Sequence, residues 1–151
     1  MIKAADRGAF MAALAAAHPN PESELNWTTP FELLVAVVLS AQATDKGVNK
    51  ATARLFADTN TPQAIARLGV DGLIPYVNSI GLFRNKAKNI KACGAQLVEK
   101  HSGQVPRTME ELVALPGVGR KTANVVLGNA FDLQQGVVVD THVARLTQRL
   151  G

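Results

Sequence analysis

The sequence predicts an all-α protein, on three observations. Apolar residues make up 47% of the 151 residues, which is enough for a sizeable core. Aromatic residues make up only 5% and alanine is abundant, a composition typical of helices that pack through small and aliphatic side chains. Helix-capping residues repeatedly precede apolar segments, and glycine or proline follows them. The segment GVVVD at 136–140 would suit a short strand, but the sequence offers no convincing second strand to pair with it.

The N-terminal segment at about 5–17 is predicted to form an amphipathic helix. Its apolar run is broken at Arg7, and acids stand at Asp6 and Glu22, a pattern that argues against a signal peptide. The apolar run LLVAVVLSA at 33–41 is too short for a membrane span. We therefore expect a buried helix there and no membrane partner.

Threonine residues predict the starts of the next helices. The segment T-P-F-E at 29–32 supplies an N-cap, a proline at the first helical position and a capping box for a helix over about 30–41. Either Thr44 or Asp45 caps the following helix, which runs to about Ala57.

Two further segments precede the central motif of the chain. Thr61 opens a short helix, and Asp71 opens another that ends near Gly81. A longer basic helix is predicted over 83–101, closed by Gly103.

The segment LPGVGRKTAN at 115–124 is predicted to be a turn between two helices. Thr108 and Glu111 form a capping box before the short helix MEELVAL, which Pro116 ends because proline disfavours helical geometry in the residue before it. A second helix follows over about 119–130.

The glycines of this turn indicate a phosphate-binding site. Gly117 and Gly119 can take positive φ and carry no Cβ, so backbone N–H groups can approach a phosphate at the positive end of the following helix. A plain interhelical turn is the alternative for these glycines. Lys121, taken by itself, would suit a phosphate contact.

Charge and cysteine content limit the classes of binding partner and metal site that we expect for this protein. The formal net charge of +4 favours an anionic partner, nucleic acid first. Arg84, Lys86, Lys88 and Lys91 fall within eight residues with no acid among them, which indicates either a solvated helix face or a set of phosphate contacts. Cys93 is the single cysteine, so no internal disulfide or multi-cysteine metal site can form, and a reducing cytoplasm fits best.

Three separated segments resemble the helix-hairpin-helix DNA glycosylases, and within that family the endonuclease III group of bacteria. They are LPGVGRKTANVVL with VDTHVARL downstream, SAQATD at 40–45, and IGLFRNKAKNI at 80–90. The resemblance covers nearly the whole chain and implies an all-α glycosylase fold with its helix-hairpin-helix at about 109–130.

The resemblance also implies a domain organisation. Residues 29–135 would form the helical domain that carries the hairpin, 1–28 would belong to an incomplete second lobe, and 136–151 would carry the catalytic aspartate. Family members continue to a four-cysteine loop that holds a [4Fe-4S] cluster, and Cys93 matches none of those ligands, so we expect no metal or cofactor on these residues. We expect a truncated form with reduced or no activity, whose uncovered apolar surface permits self-association.

The implied activity is base-excision repair of double-stranded DNA that contains oxidised pyrimidines or abasic sites, in the bacterial cytoplasm at the nucleoid. Lys121 would be the nucleophile: its neutral amine attacks the sugar C1′, expels the base and holds the opened sugar as a Schiff base that allows β-elimination. Asp140 would be the catalytic carboxylate, stabilising charge on the sugar or moving protons. Asp140 is also the predicted N-cap of the last helix, and the two roles are compatible.

The remaining predicted site residues follow from the same resemblance. Gln42 would fill the gap that a flipped nucleotide leaves, and Leu82 would wedge the opposite strand. For His142 a local structural hydrogen bond is an equal alternative to a DNA contact. The other expected DNA contacts are Gly117, Val118, Gly119, Arg120, Thr122, His142, Arg145, Arg84, Lys86 and Lys88, with Ser40 and Asp45 as site support. The rival hypothesis is a non-enzymatic helix-hairpin-helix module that only docks DNA, in which Gln42 and Asp140 would have no task.

Overall fold

The computed structural model describes residues 3–18, 24–133 and 141–150. These ranges contain eight α-helices and no β-strand, so the predicted all-α class is confirmed. The segment GVVVD lies outside the described residues. The helices, which follow a short 3₁₀ turn at Ala4–Asp6, are α1 (Arg7–Ala17), α2 (Pro30–Ser40), α3 (Asp45–Asp58), α4 (Pro62–Val77), α5 (Phe83–His101), α6 (Met109–Val113), α7 (Arg120–Ala130) and α8 (Thr141–Leu150).

The start of α2 follows the sequence prediction, with one shift. Thr29 is the N-cap and its Oγ1 accepts the N–H of Glu32 at 3.1 Å. The Glu32 carboxylate reaches one residue further back than a capping box requires, because Oε2 accepts both the N–H of Thr28 at 2.6 Å and its hydroxyl at 2.7 Å. Asn60 donates to the other carboxylate oxygen at 3.3 Å, so Glu32 also joins α2 to the segment before α4.

The next two helices begin at threonines as well. Thr44, not Asp45, caps α3. Thr61 caps α4, which takes up both helices predicted between 61 and 81. The break between them falls at Gly69, with φ 75° and ψ 176°, and the segment ends at Val77. The helix start predicted at Asp71 and the helix end predicted near Gly81 were therefore wrong. The backbone conformation of Gly69 breaks the helix two residues before Asp71.

The core surrounds α2, whose residues Phe31 to Leu39 are all buried. A helix that is apolar on every side must be covered on every side, and α3, α5 and α7 pack against it. The longest helix, α5, packs along α4, and at Gly94 a Cβ would lie 3.0 Å from the Pro62 carbonyl oxygen. This close approach of α4 and α5 leaves little room for a side chain at position 94.

The helices at the two ends differ from this core. Every residue of α1 is exposed, including the apolar side chains of Phe10, Met11 and Leu14. On α8 the side chain of Leu146 is also exposed. Uncovered apolar surface on these segments was expected from the sequence. None of the helices in the described ranges combines the length and hydropathy that a membrane crossing requires.

Candidate functional site

The predicted hairpin is formed by α6, a turn and α7. Thr108 caps α6: its Oγ1 accepts the N–H of Glu111 at 3.3 Å and its hydroxyl donates to the Glu111 carboxylate at 2.7 Å. The buried side chains of Leu112 and Leu115 fix the short helix and the residues after it to the core. The helix ends at Val113, two residues before the predicted end at Leu115.

Gly117 is the residue that the turn requires to be glycine. Its φ is 77°, and a Cβ there would lie 2.8 Å from the Cβ of Asn89 on α5. The hairpin therefore rests directly on α5. Next to it the side chain of Val118 is buried, and its N–H donates to the Leu115 carbonyl at 3.2 Å. The structure thus makes Val118 an anchor of the hairpin in the core, where a DNA contact was expected from the sequence.

Gly119 has a different conformation from Gly117. Its φ of −92° and ψ of 177° are extended, so the positive φ expected at both glycines occurs only at Gly117. A Cβ at Gly119 would meet nothing within 4 Å. Neither backbone strain nor packing in the described residues demands glycine at this position, whose surface is open to an approaching molecule.

The N-terminus of α7 has no side-chain cap, although threonine caps α2, α3, α4 and α6. The bond from the Ala123 N–H to the Gly119 carbonyl, at 2.9 Å, is the first of the helix. The N–H groups of the first turn therefore lie at the positive end of the helix dipole and donate to no capping side chain. This end of α7 is suited to an anion.

Lys121 stands in that first turn and is exposed. The described residues therefore do not remove its amine from water. Arg120 beside it is exposed and Thr122 is half-buried. Asp140 and the side chain of His142 lie outside the described part of the chain, so their predicted roles remain predictions.

Gln42 stands at the tip of a tight turn that follows α2. Ala41 has φ −56° and ψ 117°, Gln42 has φ 55°, and the Ala43 N–H donates to the Ser40 carbonyl at 3.0 Å. These values are those of a type II turn, which usually has glycine where Gln42 stands. The Gln42 side chain is exposed. Ser40 donates its hydroxyl to the Val37 carbonyl at 2.8 Å, so it stabilises the end of α2.

Leu82 is the residue directly before α5. It is left-handed, with φ 59° and ψ 30°, and its side chain is 62% exposed. A non-glycine residue in this conformation costs about 1–3 kcal/mol, and such strain is concentrated at functional sites. Gln42 and Leu82 thus share an exposed side chain and a left-handed backbone, which is costly for a residue other than glycine.

Lys86 departs from its predicted role. Its side chain is only 6% exposed, and Nζ donates to the carbonyls of Leu39 at 2.9 Å and Ala41 at 2.6 Å. Burial lowers the pKa of Lys86. The last carbonyls of a helix lack intrahelical donors and carry the negative end of its dipole, which accounts for an ammonium at the end of α2. Lys86 is therefore not available to a phosphate.

The other basic candidates are at the surface. Arg84 is exposed, with its guanidinium carbon 5.2 Å from the centre of the Phe83 ring, and Lys88 is exposed. Arg145 is exposed on α8, and Asp45 is half-buried at the start of α3.

The first two turns of α5 bring the three motif segments together. Lys86 bonds the end of α2 that precedes Gln42, and Asn89 contacts the hairpin at Gly117, while Leu82 caps the same helix. The helical spacing of 82, 86 and 89 was visible in the sequence, but the two contacts join residues distant along the chain. Asn89 was missed for that reason.

Asn124 is a second residue that the sequence did not single out. It lies one turn after Lys121 on α7, and its Oδ1 is buried without a hydrogen-bond partner among the described residues. A buried acceptor of this kind is uncommon in folded proteins.

The residues present do not fit the iron–sulfur cluster that the resemblance implies. Such a cluster needs four cysteine thiolates, and Cys93 is the single cysteine of the chain. Cys93 is buried in the core, and burial raises the pKa of its thiol to about 12. Within the described ranges, no group of three or more His, Cys, Asp or Glu side chains is placed to hold a metal ion.

The all-α fold and the hairpin formed by α6 and α7 define a helix-hairpin-helix protein. Residues 35–151 match the family model described as HhH-GPD superfamily base excision DNA repair protein. The chain belongs to this superfamily.

Individual relatives agree with this assignment. The chain is 58% identical over 132 residues to endonuclease III of Haemophilus influenzae, a match that covers 87% of this chain and 62% of that protein. A non-covalent endonuclease III–DNA complex is 47% identical with a TM-score of 0.92, and a trapped endonuclease III–DNA covalent intermediate is 47% identical with a TM-score of 0.93. Both structural matches cover 100% of this chain and 70% of the other. The chain thus spans about 62% of the length of the curated relative.

Proposed function

We propose that this protein is a base-excision DNA glycosylase with AP lyase activity, acting on oxidised pyrimidines and abasic sites in duplex DNA. The observation that carries the proposal is the convergence of three exposed elements on the first turns of α5. Lys121 stands in the first turn of α7, the uncapped helix of the hairpin that contacts α5 at Asn89. Gln42 follows the end of α2 that Lys86 bonds, and Leu82 directly precedes α5. The solved endonuclease III–DNA complexes of the same fold support a DNA substrate.

The hairpin would hold the DNA backbone. The open surface at Gly119 admits a phosphate close to the main chain, and the first amides of α7 stabilise its charge. Arg84 and Lys88 would add phosphate contacts, which makes binding weaken as salt concentration rises.

Opening the duplex would be the task of the two tips. A flipped nucleotide leaves a gap, which the amide of Gln42 would fill while Leu82 wedges the opposite strand. A leucine side chain that is 62% exposed gains apolar contact when it enters a base stack.

Lys121 would then carry out the chemistry. Its neutral amine forms a bond to C1′ while the bond from C1′ to the base breaks, and the base leaves with a proton. The C1′–O4′ bond then breaks as O4′ takes up a proton, which leaves a protonated Schiff base between Lys121 and C1′. A general base removes the C2′ proton, and the C3′–O bond breaks with release of the phosphate. Water then hydrolyses the Schiff base and frees Lys121. Asp140 would stabilise the positive sugar or move these protons. Because Lys121 is exposed in the free protein, the bound DNA must exclude water from it.

We also propose a cellular location and a domain organisation for this protein. We place the protein in the bacterial cytoplasm at the nucleoid, with residues 29–135 as the hairpin domain, 1–28 in a second lobe and 136–151 carrying Asp140. The resemblance to endonuclease III supports this division.

Borohydride trapping tests the proposal. The protein is incubated with duplexes that contain thymine glycol or an abasic site, and borohydride reduces any Schiff base to a stable adduct. We expect an adduct with the wild type and none with Lys121→Gln. The control is Lys100→Gln, which removes the same charge from an exposed position at the far end of α5 and should keep the adduct. An adduct that persists in Lys121→Gln would refute the role of this lysine.

The second candidate function is non-enzymatic docking to DNA. The uncapped N-terminus of α7 would bind a phosphate in either case, so it favours this candidate as much as the glycosylase. A pure docking module would bind intact and lesion-containing duplexes alike, without an adduct, and Gln42→Ala would leave its affinity unchanged.

A further inference from the structure

The ammonium group of Lys86 is buried, and the groups that accept its hydrogen bonds are neutral. A buried ammonium costs free energy unless strong hydrogen bonds compensate it, and lysine is rarely buried at all. In the described residues, its Nζ donates to two backbone carbonyls at the end of α2. This arrangement suits a residue whose task is to fix those two carbonyl groups in place.

One of the two carbonyls lies within the turn that carries Gln42. The Ala41 carbonyl belongs to the central peptide of the turn, between Ala41 and Gln42. Type I and type II turns differ by a flip of about 180° of this peptide, and only type II places the following residue in the left-handed region. The 2.6 Å bond from Lys86 Nζ holds the Ala41 oxygen in the type II orientation.

The backbone of Lys86 is bonded to the other strained tip. Its N–H donates to the Leu82 carbonyl at 3.1 Å. One residue therefore bonds the carbonyl of Leu82 through its main chain and the carbonyl before Gln42 through its side chain. Gln42 and Leu82 occur in two separate loops, and Lys86 connects these loops.

We propose that Lys86 is a positioning residue that locks the Ser40–Ala43 turn and so presents Gln42 to DNA at a fixed distance from Leu82. The presentation to DNA rests on the function proposed above, whereas the lock is a property of the free protein. The lock and the presentation are therefore tested separately.

Amide hydrogen exchange in the free protein tests the lock. The Ala43 N–H closes the turn on the Ser40 carbonyl and reports its opening. Lys86→Met keeps an unbranched apolar stem and removes the donors, and we expect Ala43 exchange to become roughly ten- to a hundredfold faster, as the loss of hydrogen bonds to a charged group implies. Lys86→Arg should restore part of the protection, and Lys100→Met should leave it unchanged. Unchanged Ala43 exchange in Lys86→Met would overturn the proposal.

A double-mutant cycle on DNA tests the positioning. The probe is a duplex with a tetrahydrofuran abasic analogue, with affinity measured at fixed salt. If Lys86 acts through Gln42, Lys86→Met weakens binding alone but adds nothing in a Gln42→Ala background. Additive losses would show that Lys86 has only a general structural role, and would overturn the presentation of Gln42.

The two proposals fail in distinguishable ways. If the wild type neither binds the duplex nor forms an adduct, the proposed function fails while Ala43 exchange still decides the lock. If Lys86→Met does not fold, Lys86→Gln takes its place: the shorter amide keeps a polar group at this position but does not supply the charged bond to the Ala41 carbonyl, so Ala43 exchange should again become faster than in the wild type. Unchanged Ala43 exchange in a folded Lys86→Gln would overturn the lock.

Discussion

Gly117 and Gly119 stand two residues apart in the hairpin, yet their replacement by alanine is expected to affect different properties. Gly117→Ala places a Cβ at φ 77°, where it would lie 2.8 Å from the Asn89 Cβ. Gly119→Ala places one on extended backbone, with nothing within 4 Å. The first change strains the fold, and the second changes only the outer surface of the hairpin.

The magnitudes follow from these geometries. A Cβ in the left-handed region costs about 1–2 kcal/mol, and a forced contact with Asn89 costs about 1–3 kcal/mol more. Gly117→Ala should therefore lower the free energy of unfolding by roughly 2–5 kcal/mol, a large part of the stability of an ordinary domain. At Gly119 the weaker N-cap of alanine and the lower entropy of its unfolded chain nearly cancel, so we expect a change within about 0.5 kcal/mol.

Urea unfolding followed by circular dichroism measures both values, and titration with an abasic duplex measures affinity. Gly119→Ala should weaken DNA binding at least about tenfold in a folded protein, because the methyl group stands where the phosphate approaches. Equal losses of stability in the two variants would refute the assignment of strain to Gly117. Unchanged affinity in Gly119→Ala would refute the phosphate site.

Two further variants test other parts of the structure. Burial raises the pKa of Glu32, but hydrogen bonds from Thr28 and Asn60 outweigh it and lower the pKa below 4.5. Glu32→Gln should therefore cost about 1–3 kcal/mol near neutral pH, and urea titrations should show the difference disappear as pH falls through that lowered pKa; a constant difference would contradict the assignment. Leu82→Ala should change stability by less than about 0.5 kcal/mol because the side chain is exposed, while abasic-duplex affinity falls. A large loss of stability would show that Leu82 is a core residue.

Local sequence signals predicted most helix boundaries well. The threonine caps of α2, α4 and α6 lie where the sequence places them, because a cap depends on a side chain and amides only three residues away. The end of α5 near Gly103 was equally local. The hairpin follows the same rule, since its glycines and Pro116 act on their own backbone.

Side-chain roles that depend on distant partners were predicted less well. Lys86 was grouped with Arg84 and Lys88 as a surface base, because one sequence cannot show that α2 ends beside its ammonium. Val118 looked like part of an exposed turn until the core buried it. In α4 the glycine conformation outweighed a plausible aspartate cap.

The sequence by itself determined the helical class and the hairpin, because these depend on periodicity, caps and a motif of contiguous residues. Lys121 became the candidate nucleophile through the resemblance of that motif to the helix-hairpin-helix DNA glycosylases. Tertiary structure alone decided which of the basic residues face solvent and which Gly of the hairpin is under strain. It also decided that the end of α2 and the hairpin both contact the first turns of α5, through Lys86 and Asn89. Such contacts join residues far apart along the chain, and no local preference specifies them.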